Sequence, residues 1–297
     1  MSLQLFHLHN ETRESCPDFM GQNYRASFHT RSSAKGPRKK IYRAHLDGEG
    51  PRKGEHAVVK VFRNAPGTEV MCDAEIAKHV MARKLARKFN KMVPDASDKI
   101  KFTLPLKSTV ERFGMGEYLF RHSRHLDKQE WVLIEENLLE DLEHKFEVFI
   151  KKNGERAGKD PTSLDAFVHF TYLESGQNFV MCGLQGIHVD KEGYKLTTPC
   201  MHSIHKLFGL TDKGPSGMRA IFAKHKCNNI CWTWPKPSDH SVDEEDHLLF
   251  SEHDTDDGLS SGDELDTDRV DSSVKFDVHT PFSNSENEDS GIITNGQ

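Results

Sequence analysis

No apolar run in this chain approaches the roughly 18 residues that a membrane-spanning helix needs, which argues against a helical membrane anchor. The opening MSLQLFHLHNETRESC also lacks a basic segment leading into an apolar stretch, so no secretory leader is expected. Cysteine is scarce: six in 297 residues cannot form a disulfide scaffold. In a reducing compartment such cysteines are buried thiols or metal ligands, which points to the cytoplasm or the nucleus. Apolar residues are also sparse, at 35% with a mean hydropathy of −0.67, so part of the chain is expected to stay unpacked.

Charge is present but unevenly spread. The stretch 236–297 holds 18 acidic residues against 3 basic ones, so a net charge of −6 for the whole chain leaves residues 1–235 at +9. A basic body suggests a surface that handles anions, and the acidic, Ser-rich tail is predicted to be disordered. Ser260, Ser261, Ser283 and Ser285 each have an acid three residues on, a setting that suits acid-directed phosphorylation. A tail folding back on the body would compete with an anionic ligand.

Residues 1–38 end in the basic loop RSSAKGPRKK and are expected to be a poorly ordered extension. KIYRAHL and HAVVKVFR, separated by a Gly/Pro-rich turn, read as a hairpin. In CDAEIAKHVMARKLARKFN, Ile76, Val80, Met81, Leu85 and Phe89 recur near a 3.6 period, predicting an amphipathic helix. KFTLPL, EYLFRH and EWVLIEE read as strands, EDLEHKFEVFIKK as a helix, and SLDAFVHFTYLES as a helix running into a strand. NFVMCGLQGIHV reads as one buried strand and GMRAIFAKHKCNNICW as the last helix.

Within that last segment His225, Cys227 and Cys231 offer three zinc-type ligands, the cysteines at i,i+4 on the predicted helix. A tetrahedral site needs a fourth, and Cys182, Cys200, His202 and His169 are the candidates. His169 sits in FVHFTY, where an unpartnered imidazole would be costly.

Taken together, HFTYLESGQNFVMCGLQG, YKLTTP and GLTDKGPSGMRAIFAKHKCNNIC resemble the alpha-type protein kinases, the atypical Ser/Thr kinases that include elongation factor 2 kinase, myosin heavy chain kinases and the channel-kinases. The resemblance covers about Lys40 to Trp234 and is most specific in its C-terminal half. It implies an α+β, two-lobed, atypical protein-kinase-like fold over 39–235, with lobes of about 39–134 and 135–235 and a structural zinc in the second. The implied zinc ligands are His169, His225, Cys227 and Cys231. Lys60 in AVVKVF would reach the phosphates of ATP, with Glu75 as a possible partner, while Glu135 or Glu136 in VLIEENL would face the adenine. Gly209, Gly214 and Gly217 would form the family's glycine loop, close to the zinc rather than over the phosphates.

The departures fall on the chemistry. Where the family has Asp-Leu/Ile-Gln-Gly this chain reads Gly183-Leu184-Gln185-Gly186, and where it has Thr-Asp-Pro the chain reads Thr197-Thr198-Pro199. Gly183 and Thr198 thus stand where two aspartates are expected, and Gln185 remains as a neutral oxygen donor. Asp190 and Asp212, the nearest carboxylates in sequence, read as turn residues. General acid–base help contributes roughly 10²–10⁴-fold, and Mg²⁺ prefers carboxylates. The reading is therefore an ATP-dependent Ser/Thr protein kinase by family, with weakened phosphotransfer, and the alternative is an inactive pseudokinase that binds ATP or scaffolds a protein partner. A zinc-containing nucleic-acid binder is the minor alternative, disfavoured because the basic residues lack interleaved aromatics.

Overall fold

A computed structural model of the chain describes residues 8–94, 98–119, 124–139 and 144–236. The strands Asn10–Thr12 (β1), Tyr24–Phe28 (β2), Ala34–Lys35 (β3), Lys39–Gly48 (β4), His56–Phe62 (β5), Leu106–Arg112 (β7) and Trp131–Glu136 (β8) form one sheet in the order β2-β1-β7-β8-β5-β4-β3. Because β2 also pairs with β4, six of them close into an antiparallel ring, and β3 is attached outside it. Alternation along each strand fills the ring: Tyr24, Ala26 and Phe28, Tyr42, Ala44 and Leu46, Ala57, Val59 and Val61, and Val132 and Ile134 are all buried in one cluster.

This corrects the expectation for residues 1–38. β1 and β2 come from that segment, and they supply the pairings that leave β4 and β7 without an open edge. The predicted hairpin is present as β4 and β5, paired from Lys39↔Phe62 to His45↔His56.

Helix Glu69–Met92 (α1) is capped at its start by Thr68, whose side chain accepts from the Met71 N–H, and Pro94 lies just beyond its end. Its buried face keeps most of the apolar stripe that periodicity picks out, with Leu85 and Phe89 buried and Ile76 and Met81 partly so, but it is not wholly apolar. Val80 is half exposed, whereas Glu75, Lys78 and His79 are buried beside Cys72, Ala82, Leu85 and Phe89. Polar groups on an inward face are the first sign that this helix borders something other than core. Its N-terminal half packs on the outer face of the ring through Cys72, Phe62 and Leu133, and its C-terminal half enters a second core.

That second core lies under the four-stranded sheet Ile100–Phe102 (β6), Gly193–Leu196 (β12), Leu184–Val189 (β11) and Glu147–Ile150 (β9), and the pair Phe179–Cys182 (β10) with Cys200–Ser203 (β13). Helix Ser163–Glu174 (α3) begins with a capping box between Thr162 and Asp165, and helix Gly214–Lys224 (α4) carries Pro215 in its first turn.

Several local expectations give way here. The predicted strand EYLFRH begins within a short helix, Met115–Leu119 (α2), and its 120–122 portion lies outside the described residues. Of the predicted helix EDLEHKFEVFIKK, 140–143 lie outside them and Glu147–Ile150 is a strand, because the buried partner β11 offers it a ladder. SLDAFVHFTYLES is helical through Glu174 with no strand. NFVMCGLQGIHV is two strands in different sheets, broken at Gly183. The final helix stops at Lys224, so Cys227 and Cys231 are not on a helical face. The Asn228 side chain instead accepts from the Ile230 N–H and starts a run of turns. The acidic tail and its four serines lie outside the described residues.

Candidate active-site cleft and metal cluster

Lys60 on β5 and Glu135 on β8 have the outward parity of their strands, opposite to Val59 and Ile134 inside the ring. They sit diagonally across the pair, with Lys60↔Leu133 and Val58↔Glu135 in register. The Lys60 ammonium donates to Glu135 Oε2 at 2.8 Å and to Thr197 Oγ1 at 2.7 Å, and Thr197 donates in turn to Glu135 Oε2 at 2.9 Å. Burial pushes the Glu135 carboxyl up, but the adjoining Lys60 cation outweighs it and holds the group at about 2. Glu135 is thus committed to Lys60, and only 1% of its side chain is exposed. Glu136, of opposite parity, pairs with Lys195 beside a separate depression of about 460 Å³.

Glu75 does not reach Lys60. It receives Lys39 at 2.7 Å and Lys78 at 2.8 Å, and although burial raises its carboxyl, these two ammonium groups hold it well below the usual range. His79, one turn on, is fully buried. Its Nδ1 lies 2.8 Å from the Thr103 carbonyl, which can only accept, so Nδ1 carries the proton. Nε2 then accepts from the Thr198 hydroxyl at 2.7 Å. Burial lowers His79 to about 4, against the attraction of Glu135. Both threonines of TTP are therefore woven into the charged network.

Part of this network borders a cleft of about 410 Å³. Lys60, Glu75, Lys78, Gly183, Gln185 and Thr198 all line it. Gly36, Pro37 and Arg38, between β3 and β4 in a segment whose sequence predicts a poorly ordered loop, line it as well. Lys39, Lys78 and His79 were also missed as site residues. For Lys78 and His79 the only signal was a polar interruption of a helix face, and Lys39, at the start of β4, had none. Gly183 has φ +60, and a Cβ there would stand 2.9 Å from the Cys200 Cβ, so the backbone as well as the residue type departs from what a side chain would favour. Neither of the two acids nearest in sequence substitutes. Asp190 is exposed in a turn, and the Asp212 carboxylate accepts from the Ser203, Phe208 and Gly214 N–H groups and the Ser203 hydroxyl.

The glycine loop runs alongside. Gly209 and Gly214 have positive φ, and a Cβ on Gly217 would stand 2.6 Å from the His202 ring. The same loop lends Leu210, Thr211 and Lys213 to the cleft, so it borders the cleft as well as leading through α4 toward the metal-type cluster.

Among the described residues two groups of soft donors stand out. In the first, one ligand atom each of His169, His225, Cys227 and Cys231 lies within 4.8 Å of the others. Cys227 Sγ is 3.7 Å from His169 Nδ1 and Cys231 Sγ is 3.7 Å from His225 Nε2. A tetrahedral zinc with its usual bond lengths separates a thiolate sulfur and an imidazole nitrogen by about 3.6 Å. His169 Nε2 donates to the Pro235 carbonyl at 2.9 Å, which orients the Nδ1 lone pair inward, as zinc histidines are oriented. The four residues fit the ion. In the second group Cys182 lies directly opposite Cys200 on β10 and β13, with His202 beside them. There His202 is held at both nitrogens, Nδ1 by the Lys213 N–H and Nε2 by the Lys152 carbonyl.

Comparison with known proteins places this architecture. Residues 34–231 match the profile of the Alpha-kinase family. Alpha-protein kinase 1 of Dictyostelium discoideum is 26% identical over 200 residues, covering 67% of this chain and 13% of that protein. Eukaryotic elongation factor 2 kinase of Caenorhabditis elegans is 35% identical over 69 residues, 23% of this chain and 8% of that one. The chain thus spans 13% or less of the length of these relatives. Among solved structures, an alpha kinase from Entamoeba histolytica superposes with a TM-score of 0.61 at 20% identity, covering 79% of this chain and 94% of that one. The alpha-kinase domain of myosin heavy chain kinase A with AMP gives 0.58 at 17%, covering 75% and 97%. Forms of that domain described as inactive, each with one aspartate changed to alanine, are complexed with ATP. The chain belongs to the alpha-kinase family.

Proposed function

We propose that this chain is a nucleotide-binding alpha-kinase domain whose transfer of phosphate to Ser or Thr of a protein substrate is weakened. The observation that carries the reading is the composition of the cleft wall. The Lys60–Glu135 pair is intact beside it, while Gly183 and Thr198 leave it without the two carboxylates that the family resemblance leads one to expect. Lysine at a phosphate and a carboxylate at the acceptor hydroxyl are separate contributions to phosphoryl transfer. Loss of the second need not remove the first, and the inactive relatives that carry ATP agree with this. Zinc, held by His169, His225, Cys227 and Cys231, would brace the end of α4 against α3 and supply no step of the chemistry. On this reading the halves built on the ring and on the second core would be the two lobes, the second drawing β6 and the C-terminal half of α1 from before residue 135. Six free thiols suit the cytoplasm or nucleus.

The second reading, an inactive pseudokinase that scaffolds a partner, is favoured by the engagement of Asp212 in its own loop and of Glu75 with Lys39 and Lys78, which leaves neither of these carboxylates to stand in. Transfer from γ-labelled ATP to a panel of basic and acidic protein substrates separates the two. Slow transfer supports the first, and none alongside measurable nucleotide binding supports the second. Turnover in the ordinary kinase range of about 1–100 s⁻¹ would refute both.

A further inference from the structure

Apart from the zinc-type cluster, a second pair of thiols sits at the cleft. Cys182 ends β10 and Cys200 begins β13, directly opposite each other, with Gly183 following the one and Pro199 preceding the other. Both are free thiols and both are buried, Cys182 completely and Cys200 to 5% exposure. Cys200 lines the cleft and Cys182 lies behind it, so a small solute entering the cleft meets Cys200 first.

The register suits a bridge between them. The Ile204 N–H donates to the Asn178 carbonyl at 3.0 Å, and hydrogen-bonded rungs recur at every second pair from there, which brings Cys182 and Cys200 into that class. Residues so paired share a face and have Cα atoms about 5.5 Å apart, inside the window of roughly 4.4–6.8 Å that a disulfide spans. The two sulfurs already lie within 4.8 Å of each other. Gly183 keeps the space open: a Cβ there would stand 2.9 Å from the Cys200 Cβ and 3.3 Å from its N. The third member of the group, His202, takes the Lys213 N–H at Nδ1 and gives Nε2 to the Lys152 carbonyl. The group thus offers an ion two sulfurs, short of the four ligands zinc takes. The hydrogen bond from Cys182 draws the Cys200 thiol below its ordinary value, while burial raises Cys182. Thiolate character therefore gathers on the sulfur that faces the cleft.

We propose that Cys200 is a peroxide-reactive thiol and Cys182 its resolving partner, and that together they close a disulfide across the end of the β10–β13 ladder. The Cys200 thiolate attacks one peroxide oxygen and breaks the O–O bond. Cys200 becomes a sulfenic acid, and the other oxygen leaves as hydroxide and takes up the proton the thiol gave up. The Cys182 sulfur then attacks the Cys200 sulfur. An S–S bond forms, the S–O bond breaks, and the departing hydroxyl leaves as water with the Cys182 proton. Two electrons pass from the sulfurs to the peroxide, and two waters result. The bridge would fix the strand ends from which Gly183 and Thr198 enter the cleft. In a reducing compartment the dithiol is the resting form and the bridge is transient. The inference stands whether or not the cleft binds nucleotide.

The test uses the full chain, purified reduced with zinc present and then freed of reductant. Hydrogen peroxide is added to the level that oxidises half of Cys16, the more exposed thiol. Alkylation and trypsin follow, and cleavage at Lys191 and Lys195 separates the two cysteines. The peptides holding Cys182 and Cys200 are expected joined, lighter by two hydrogens than their sum, and parted by dithiothreitol. Cys72, whose thiol burial pushes up to about 12, should stay reduced throughout. In Cys182→Ala a dimedone adduct is expected at Cys200, whereas in Cys200→Ala peroxide should leave Cys182 reduced. Cys182 and Cys200 both alkylated at that peroxide level would overturn the inference. So would Cys200 joined to any other cysteine, or oxidation of Cys182 undiminished by Cys200→Ala.

Discussion

Replacing Lys60 by methionine takes the cation away from a carboxylate that is 1% exposed and accepts from both Lys60 and Thr197. Breaking a buried pair from one side typically costs about 3–5 kcal/mol, because the remaining charge keeps its desolvation penalty. For a folded region of this size each kcal/mol moves Tm by roughly 2–4 °C, so Lys60→Met should melt about 10 °C lower. The double variant Lys60→Met/Glu135→Gln should regain more than half of that loss, since the uncompensated charge is gone. The acid limb provides a sign check. The folded Glu135 carboxyl titrates near 2, below its ordinary 4.5, so its contribution is complete above pH 4.5 and lost as pH falls toward 2. Those 2.5 pH units correspond to about 3 kcal/mol. In Lys60→Met burial acts alone and raises the carboxyl, so the deficit relative to wild type should shrink in acid. Differential scanning calorimetry at pH 7 and pH 4 measures all three. A single variant within about 1 kcal/mol of wild type, or a double variant no better than the single, would refute the coupling. The same logic warns that lost activity in Lys60→Ala need not report on catalysis.

His79 should add a second acid-sensitive limb: its folded value of about 4 lies below 6.5, so stability is lost as pH falls between these, and His79→Gln should flatten that segment of a urea-midpoint profile. One zinc per chain is expected by elemental analysis, with Cys231→Ser or a strong chelator lowering Tm; a metal-free protein of unchanged Tm would count against the cluster. Gly183→Asp should lower stability by about 1–3 kcal/mol in chemical denaturation, because its φ of +60 and the 2.9 Å approach to Cys200 both oppose a Cβ; an unchanged midpoint would mean the strand break relaxes. Deleting residues after Pro237 should tighten polyanion binding at low salt, and unchanged affinity would dismiss a masking role for the tail.

The parts legible beforehand were those with a local signature. The β4–β5 hairpin follows from alternation around a Gly/Pro turn, and α1 from its period. His225, Cys227 and Cys231 are visible as soft donors within seven residues, and the family motifs around them carry His169 as the fourth. What misled was also local. EVFI reads as part of a helix until β11 is there to pair with it, and the i,i+4 spacing of Cys227 and Cys231 suggests a helix that the Asn228 turn replaces. Glu75 looks like the partner of Lys60 on sequence order, yet two other lysines claim it.

By itself the amino-acid sequence determined the residue types: a basic body, four zinc-type ligands, a strand lysine, and glycine and threonine at the two expected aspartate positions. Only the tertiary structure decided how those residues are used. Closing the ring required β1 and β2 from a segment with no strong pattern of its own, because pairing across long sequence separations leaves little trace in either partner. Strand parity then sent Glu135 to Lys60 and Glu136 to Lys195. The lining of the cleft likewise comes from residues far apart in the chain, Arg38 to Lys213, which meet only once folding has brought them together.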